Sequence, residues 1–167
     1  MKAFIVTAIA SFVVYLALTF GSGNILFWSW PEWIMAIVLA TIVGLASHKL
    51  VCKNDYPMLN PARWGLFIVY LIGPFFIGMA KANFDVAKRV VTGNINPGIV
   101  ELRTGLKTDM AVTLLANSIT LTPGTLTVDI NEKSNTLYIH WLNVTNKTPK
   151  PKQVCGNFLN WARRIAE

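Results

Sequence analysis

Charge is scarce in this sequence. Only 14% of its 167 residues are Asp, Glu, Lys or Arg, and eight acids face fifteen bases. Histidine occurs twice, as His48 and His140, and cysteine twice, as Cys52 and Cys155. Two lone thiols without a CxxC or Cys/His spacing match no metal-site or redox pattern. Two distant histidines leave every Ser and Thr without a recognisable general base, so no catalytic constellation is expected; His140 reads as an exposed strand residue. No glycine-rich loop with a lysine precedes a helix, which excludes a phosphate cradle of the usual kind. The net charge of +7 would suit nucleic acid only with a basic stripe and stacking aromatics. Here four of the six Trp residues flank apolar runs instead. The expectation is therefore no cofactor, no metal and no nucleic-acid partner.

What the chain has in quantity is apolar surface, 53% of residues with a mean hydropathy of +0.47, too much for an ordinary soluble domain. Three uncharged runs carry it: 3–20, 33–47 (extending back to 27) and 64–80. About 20 apolar residues cross a bilayer core. With about 17 as the lower limit, the first run qualifies and the second does so with its extension; the third is borderline and holds Gly73-Pro74 near its centre. The first run is long for a signal-peptide core and a second follows closely, which disfavours cleavage. Trp28, Trp30, Trp33 and Trp64 sit at run edges, where indole rings favour the headgroup level. No ionisable residue lies inside 3–20, 33–47 or 64–80, and Glu32 sits only at the edge of the second run, so this chain lacks the buried groups that relay ions or protons across a membrane. Gly44, Ala46, Ser47, Gly73 and Gly78 permit close helix contact.

Lysine and arginine set the orientation. Lys2 and the segment 48–63, with Lys49, Lys53 and Arg63, belong inside, and the base-free loop 21–32 outside. A third full crossing would then put Lys81, Lys88 and Arg89 outside, against the same rule. A run 64–80 that is broken at Gly73-Pro74 and does not cross removes the conflict.

Beyond residue 80 the chain is basic and mixed. Residues 81–92 form an amphipathic connecting helix, with Phe84, Ala87, Val90 and Val91 on one face and Lys81, Asp85, Lys88 and Arg89 on the other. "GNINPG" breaks the chain at 93–98, "GIVELRTGL" (98–106) reads as a strand, and "KTDMAVTLLANS" (107–118) as a helix capped by Thr108 or Asp109. Pro123 and Gly124 suit positions i+1 and i+2 of a type II turn. In "TLTVDI" (125–130) strict alternation places Leu126, Val128 and Ile130 inward; "TLYIHWL" (136–142) pairs back, and "VCGNFLNWARRI" (154–165) closes as an amphipathic helix. The expected fold class is a membrane α-helical half of two to three hydrophobic helices (1–80), the connecting helix 81–92 and a small β-α-β-β-α domain (93–167), placed in the cytoplasm. At roughly 75 residues that domain is marginal alone. The sequons "NVT" and "NKT" would then be silent.

Three segments carry a resemblance: "NINPGIVELRTGLKTD" (94–109), "LLANSITLTPGTLTVDI" (114–130) and "YIHWLNV" (138–144). In order and spacing the chain resembles the E-type subunit of the Mrp (Mnh) multi-subunit Na+/H+ antiporters, over nearly its whole length. The resemblance implies an accessory, non-catalytic membrane subunit of a monovalent cation/proton antiporter, partnered by other Mrp-type subunits in the cell membrane. It equally implies the matching subunit of a complex-I-related respiratory assembly such as a membrane-bound hydrogenase. No catalytic residue is carried over. Pro97, Gly98, Asp109, Pro123 and Gly124 are the motif positions, with structural roles.

Overall fold

The computed structural model describes residues 2–20, 28–47 and 60–167. The chain divides into two compact units, Met1–Asp55 and Tyr56–Glu167. His48, Lys49, Cys52 and Lys53 lie outside the described residues.

The first unit is a helix pair, α1 (Lys2–Leu18) and α2 (Trp30–Ser47). They run antiparallel: Gly44 meets Phe4 and Ala8, while the rings of Phe12 and Trp33 lie 5.9 Å apart. Ala36, Ala40 and Gly44 form a small-residue stripe at four-residue spacing, and both alanines are buried. A Cβ on Gly44 would come within 2.9 Å of the Phe4 ring. Close backbone approach is what such stripes provide where lipid removes the hydrophobic drive between helices. Trp28 Nε1 donates to the Leu16 carbonyl at 3.1 Å. Ile5, Ile9, Val13, Ile34, Ile37 and Leu45 point outward, fully apolar and exposed.

The second unit starts with one continuous helix, Ala62–Thr92, made of α3 (Pro61–Tyr70), a π segment (Leu71–Phe75) and α4 (Phe76–Thr92). Among the described helices it alone is long and apolar enough to cross a membrane by length and composition; Phe4–Leu18 and Trp30–Ala46 are shorter. The break expected at Gly73-Pro74 does not form. Pro74 lacks an N–H and would clash in a regular α-helix; the wider π turn absorbs it, so the helix passes through. Residues 81–92 are thus the end of this helix, which stops at Gly93 with φ 67°.

After it come β1 (Gly98–Arg103), α5 (Asp109–Thr120), β2 (Thr125–Asn131), β3 (Thr136–Trp141), α6 (Pro151–Cys155) and α7 (Phe158–Ala166). The strands form an antiparallel sheet in the order β1-β3-β2. Its inner face supplies Val100, Leu102, Leu137 and Ile139 to a core completed by Ala111, Leu115 and Ile119 of α5 and Phe158, Ala162 and Ile165 of α7. Thr108 caps α5, its Oγ1 accepting from Ala111 N at 3.2 Å. The single closing helix expected over 154–165 is instead two short ones, separated at Gly156 with φ 54°.

Strand β2 reverses the expected facing. Leu126 and Val128 are exposed, and Thr125 and Thr127 turn toward α5. Thr125 Oγ1 donates to Ile119 O at 2.7 Å, and Thr127 Oγ1 to Ala116 O at 3.2 Å. Hydroxyls that bond helix carbonyls can face inward without cost in unsatisfied groups. An irregularity between Thr127 and Asp129 then shifts the phase, and Ile130 faces the core after all.

Candidate functional site

The long helix is the platform on which the α+β part is built. Arg63 in its first turn donates to Ile165 O at 2.9 Å and to Glu167 O at 3.1 Å, holding the carbonyl end of α7. Tyr70 is fully buried, donates to Ser118 Oγ at 2.6 Å and stacks near Phe75, Phe158 and Trp161 at about 6 Å. Gly78 meets the Phe158 ring, and Val86 meets Gly124. One line of contacts runs along the helix through 63, 67, 70, 75, 78, 82, 86 and 89, with Leu66, Pro74 and Asp85 beside it. All steps are three or four except 70 to 75. That five-residue step is where the π segment sits. An α-helix would rotate its stripe away over this length; the extra residue of a π turn restores the phase.

Neither of the two faces read for 81–92 packs as a whole on the α+β part; Lys81, Asp85 and Lys88 are exposed as well. Phe84, Val90 and Val91 are 80%, 78% and 87% exposed, whereas Ala82, Val86 and Arg89 face the α+β part. Arg89 pairs with Asp85 at 2.7 Å and donates to Asn94 O at 3.1 Å. Its aliphatic stem packs while its charge is bonded locally, which lets a guanidinium occupy the covered side.

The five motif residues fall into two places. Pro97 and Gly98 enter β1, where Gly98 lies opposite Trp141; a Cβ there would sit 3.2 Å from Val144 Cγ2. Pro123 and Gly124 form the corner before β2. Gly124 has φ +87°, accepts from Leu142 N at 2.9 Å, and a Cβ on it would lie 3.2 Å from Val86 Cγ2. So both Pro-Gly pairs flank the same end of β3, and the second seats the sheet on the long helix beside a crevice of about 120 Å³ that includes Asp85 and Arg89. Asp109 is elsewhere: exposed, in the first turn of α5, where its charge favours the helix N-terminus. Tyr70 escaped the sequence reading, and Arg63 and Gly78 entered it only as an orienting charge and a small contact residue. A lone arginine ahead of an apolar run, with large residues at 67, 70 and 75, was the available signal.

Reactive chemistry is not gathered here. Among the described residues no group of three or more His, Cys, Asp or Glu forms a metal-binding cluster. His140 sits on the open face of the sheet between Ile99 and Leu126. Cys155 is 3% exposed and its thiol is pushed up to about 11 by burial. A neutral, covered thiol is inert. Even with the membrane opened by detergent, Cys155 in the folded protein should therefore label far more slowly than an exposed thiol, and rapidly once denatured; fast labelling of the native form would contradict this packing.

Known proteins share this arrangement. The family model described as Na+/H+ ion antiporter subunit, MNHE, matches residues 8–165. The E-type subunit of the Na(+)/H(+) antiporter of Alkalihalophilus pseudofirmus is 43% identical over 93 residues, 54% of this chain and 59% of that protein. The E1 subunit of the Staphylococcus aureus Na(+)/H(+) antiporter is 34% identical over 136 residues, 78% of this chain and 82% of its own length. Among solved structures, a chain of the membrane-bound sulfane sulfur reductase, an archaeal respiratory membrane complex, superposes with a TM-score of 0.78 at 32% identity over 99% of both chains. With a match this nearly complete, the chain belongs to the MNHE family of Na+/H+ ion antiporter subunits.

Proposed function

We propose that this chain is a non-transporting accessory subunit of a multi-subunit Na+/H+ antiporter, acting in assembly and stability with other Mrp-type membrane subunits. One observation carries the reading beyond family membership. The helix pair presents outward faces of Ile, Val and Leu, and no Asp, Glu, Lys, Arg or His interrupts 3–20 or 33–47. Such faces suit lipid and neighbouring helices; an ion or proton path needs ionisable groups they lack. Vesicles reconstituted with this chain alone should show no Na+-driven pH change, while vesicles holding the complete co-purified assembly should. Robust exchange by the lone chain would sink the proposal. The structural likeness to a respiratory complex favours a second reading, the corresponding subunit of a redox-driven assembly. Metal centres in the co-purifying subunits would select it.

The proposed topology has two crossings, α1 and α2, each about 26 Å along its described residues, against a hydrocarbon core of roughly 30 Å. The long helix and the α+β part then both lie in the cytoplasm. Support comes from the two ends of that helix. Arg63 and Arg89 are about 39 Å apart along it, yet both pack on the same α+β part. That arrangement is hard to thread across a bilayer. Lys2, Arg63, Lys81, Lys88 and Arg89 also then share one side, as the charge rule demands. Since Cys155 is covered, the test needs an exposed thiol. Lys133→Cys in a Cys52→Ser background should resist a membrane-impermeant reagent in sealed cells and react once they are opened. Rapid labelling in sealed cells would place the domain outside.

A further inference from the structure

We infer that the long helix Ala62–Thr92 lies flat in the cytoplasmic leaflet, its outward face seated in an anionic lipid surface. The inference rests on the two-crossing topology above. With one side of the helix covered by the α+β part, the opposite side is an unbroken apolar strip. Ile68, Ile72, Phe76, Phe84 and Val91 are each more than half exposed, Ile72 by 74%. The strip extends over most of a helix about 46 Å long, from 31 residues at 1.5 Å each. A helix needs only about 30 Å to cross a core, and a crossing helix has no use for a polar domain along its whole side.

Charge identifies lipid as the occupant. Lys81 and Lys88 are exposed at one border of the strip. On the same flank Lys81 and Lys152 line a groove of about 570 Å³ whose walls include Pro74, Ile77 and Trp161, with no carboxylate among its described lining residues. Asp85 is paired with Arg89. Amines beside an apolar strip, at a groove that an indole ring also lines, fit lipid phosphates above acyl chains. A partner protein helix would need no such one-sided lysine border.

The test uses the full chain with whatever subunits co-purify, in nanodiscs. Ile72→Cys and Val91→Cys, each in a Cys52→Ser background, carry a fluorophore read by lipid-borne depth quenchers. Both positions are already exposed, so neither should disturb folding. The expected result is one shallow depth for both labels, roughly 5–10 Å below the headgroups. Exchanging anionic for zwitterionic lipid should weaken quenching at both. In a crossing helix the labels would differ in depth by about 28 Å, which would overturn this inference and the two-crossing topology together. Protection of both labels from all quenchers would mean that protein covers the strip. That overturns the inference alone, leaving topology and antiport to the thiol and vesicle measurements. Indifference to lipid charge would overturn the role given to the lysines.

Discussion

Tyr70→Ala is expected to destabilise the α+β part by about 3–5 kcal/mol, the usual cost of emptying an aromatic site in a packed core. Tyr70 is among the largest fully buried side chains, and three other aromatic rings lie around it. It also donates to Ser118 Oγ, which in turn donates to Leu114 O at 2.7 Å. Tyr70→Phe keeps the ring and removes only the hydroxyl, so its loss should be near 1 kcal/mol. Denaturant unfolding of the purified chain in detergent, followed by Trp161 fluorescence in a variant whose other tryptophans are replaced by Phe, separates the two. The result also bears on topology. Were residues 64–80 a membrane span, Tyr70 would face lipid or another span, and the α+β part would not register its removal. Equal, negligible effects of both substitutions would therefore contradict the packing of this helix against the domain.

Gly124→Val should be nearly as damaging, for two separable reasons. The φ of +87° is strained for any β-branched residue, a cost of order 1–3 kcal/mol. The added bulk meets Val86 Cγ2, where even a Cβ would stand at 3.2 Å, and overpacking of this kind typically costs about 1–3 kcal/mol. Assembled complex in the membrane should fall several-fold. Val86→Ala beside Gly124→Ala relieves the contact and leaves the dihedral strain, so the pair should recover only part of the loss. Normal assembly with collapsed turnover would instead give the Pro123-Gly124 corner a part in transport.

Much of this was legible in one dimension. Uncharged runs fixed the apolar helices, because ionisable groups cannot be left in hydrocarbon. Thr108 before a helical pattern and Pro123-Gly124 before an alternating segment located α5 and β2 through local chemistry alone: a side-chain cap in one, a positive φ in the other. The β-α-β-β-α order followed from such signals, and the spaced motifs identified the family. Facing was another matter. Alternation put Leu126 and Val128 inside, but the hydroxyls of Thr125 and Thr127 found helix carbonyls, and an irregularity reset the phase for Ile130. Proline at 74 suggested a break, but a π turn absorbed it, since the stripe from Arg63 to Arg89 had to keep facing one domain. Which side of a helix is covered depends on partners distant in sequence: Ser118 for Tyr70, Phe158 for Gly78, Gly124 for Val86. Hydropathy and local dihedrals determined the elements; only their tertiary contacts decided that the longest apolar helix lies along a domain and gives Tyr70 to its core, rather than standing as a free rod.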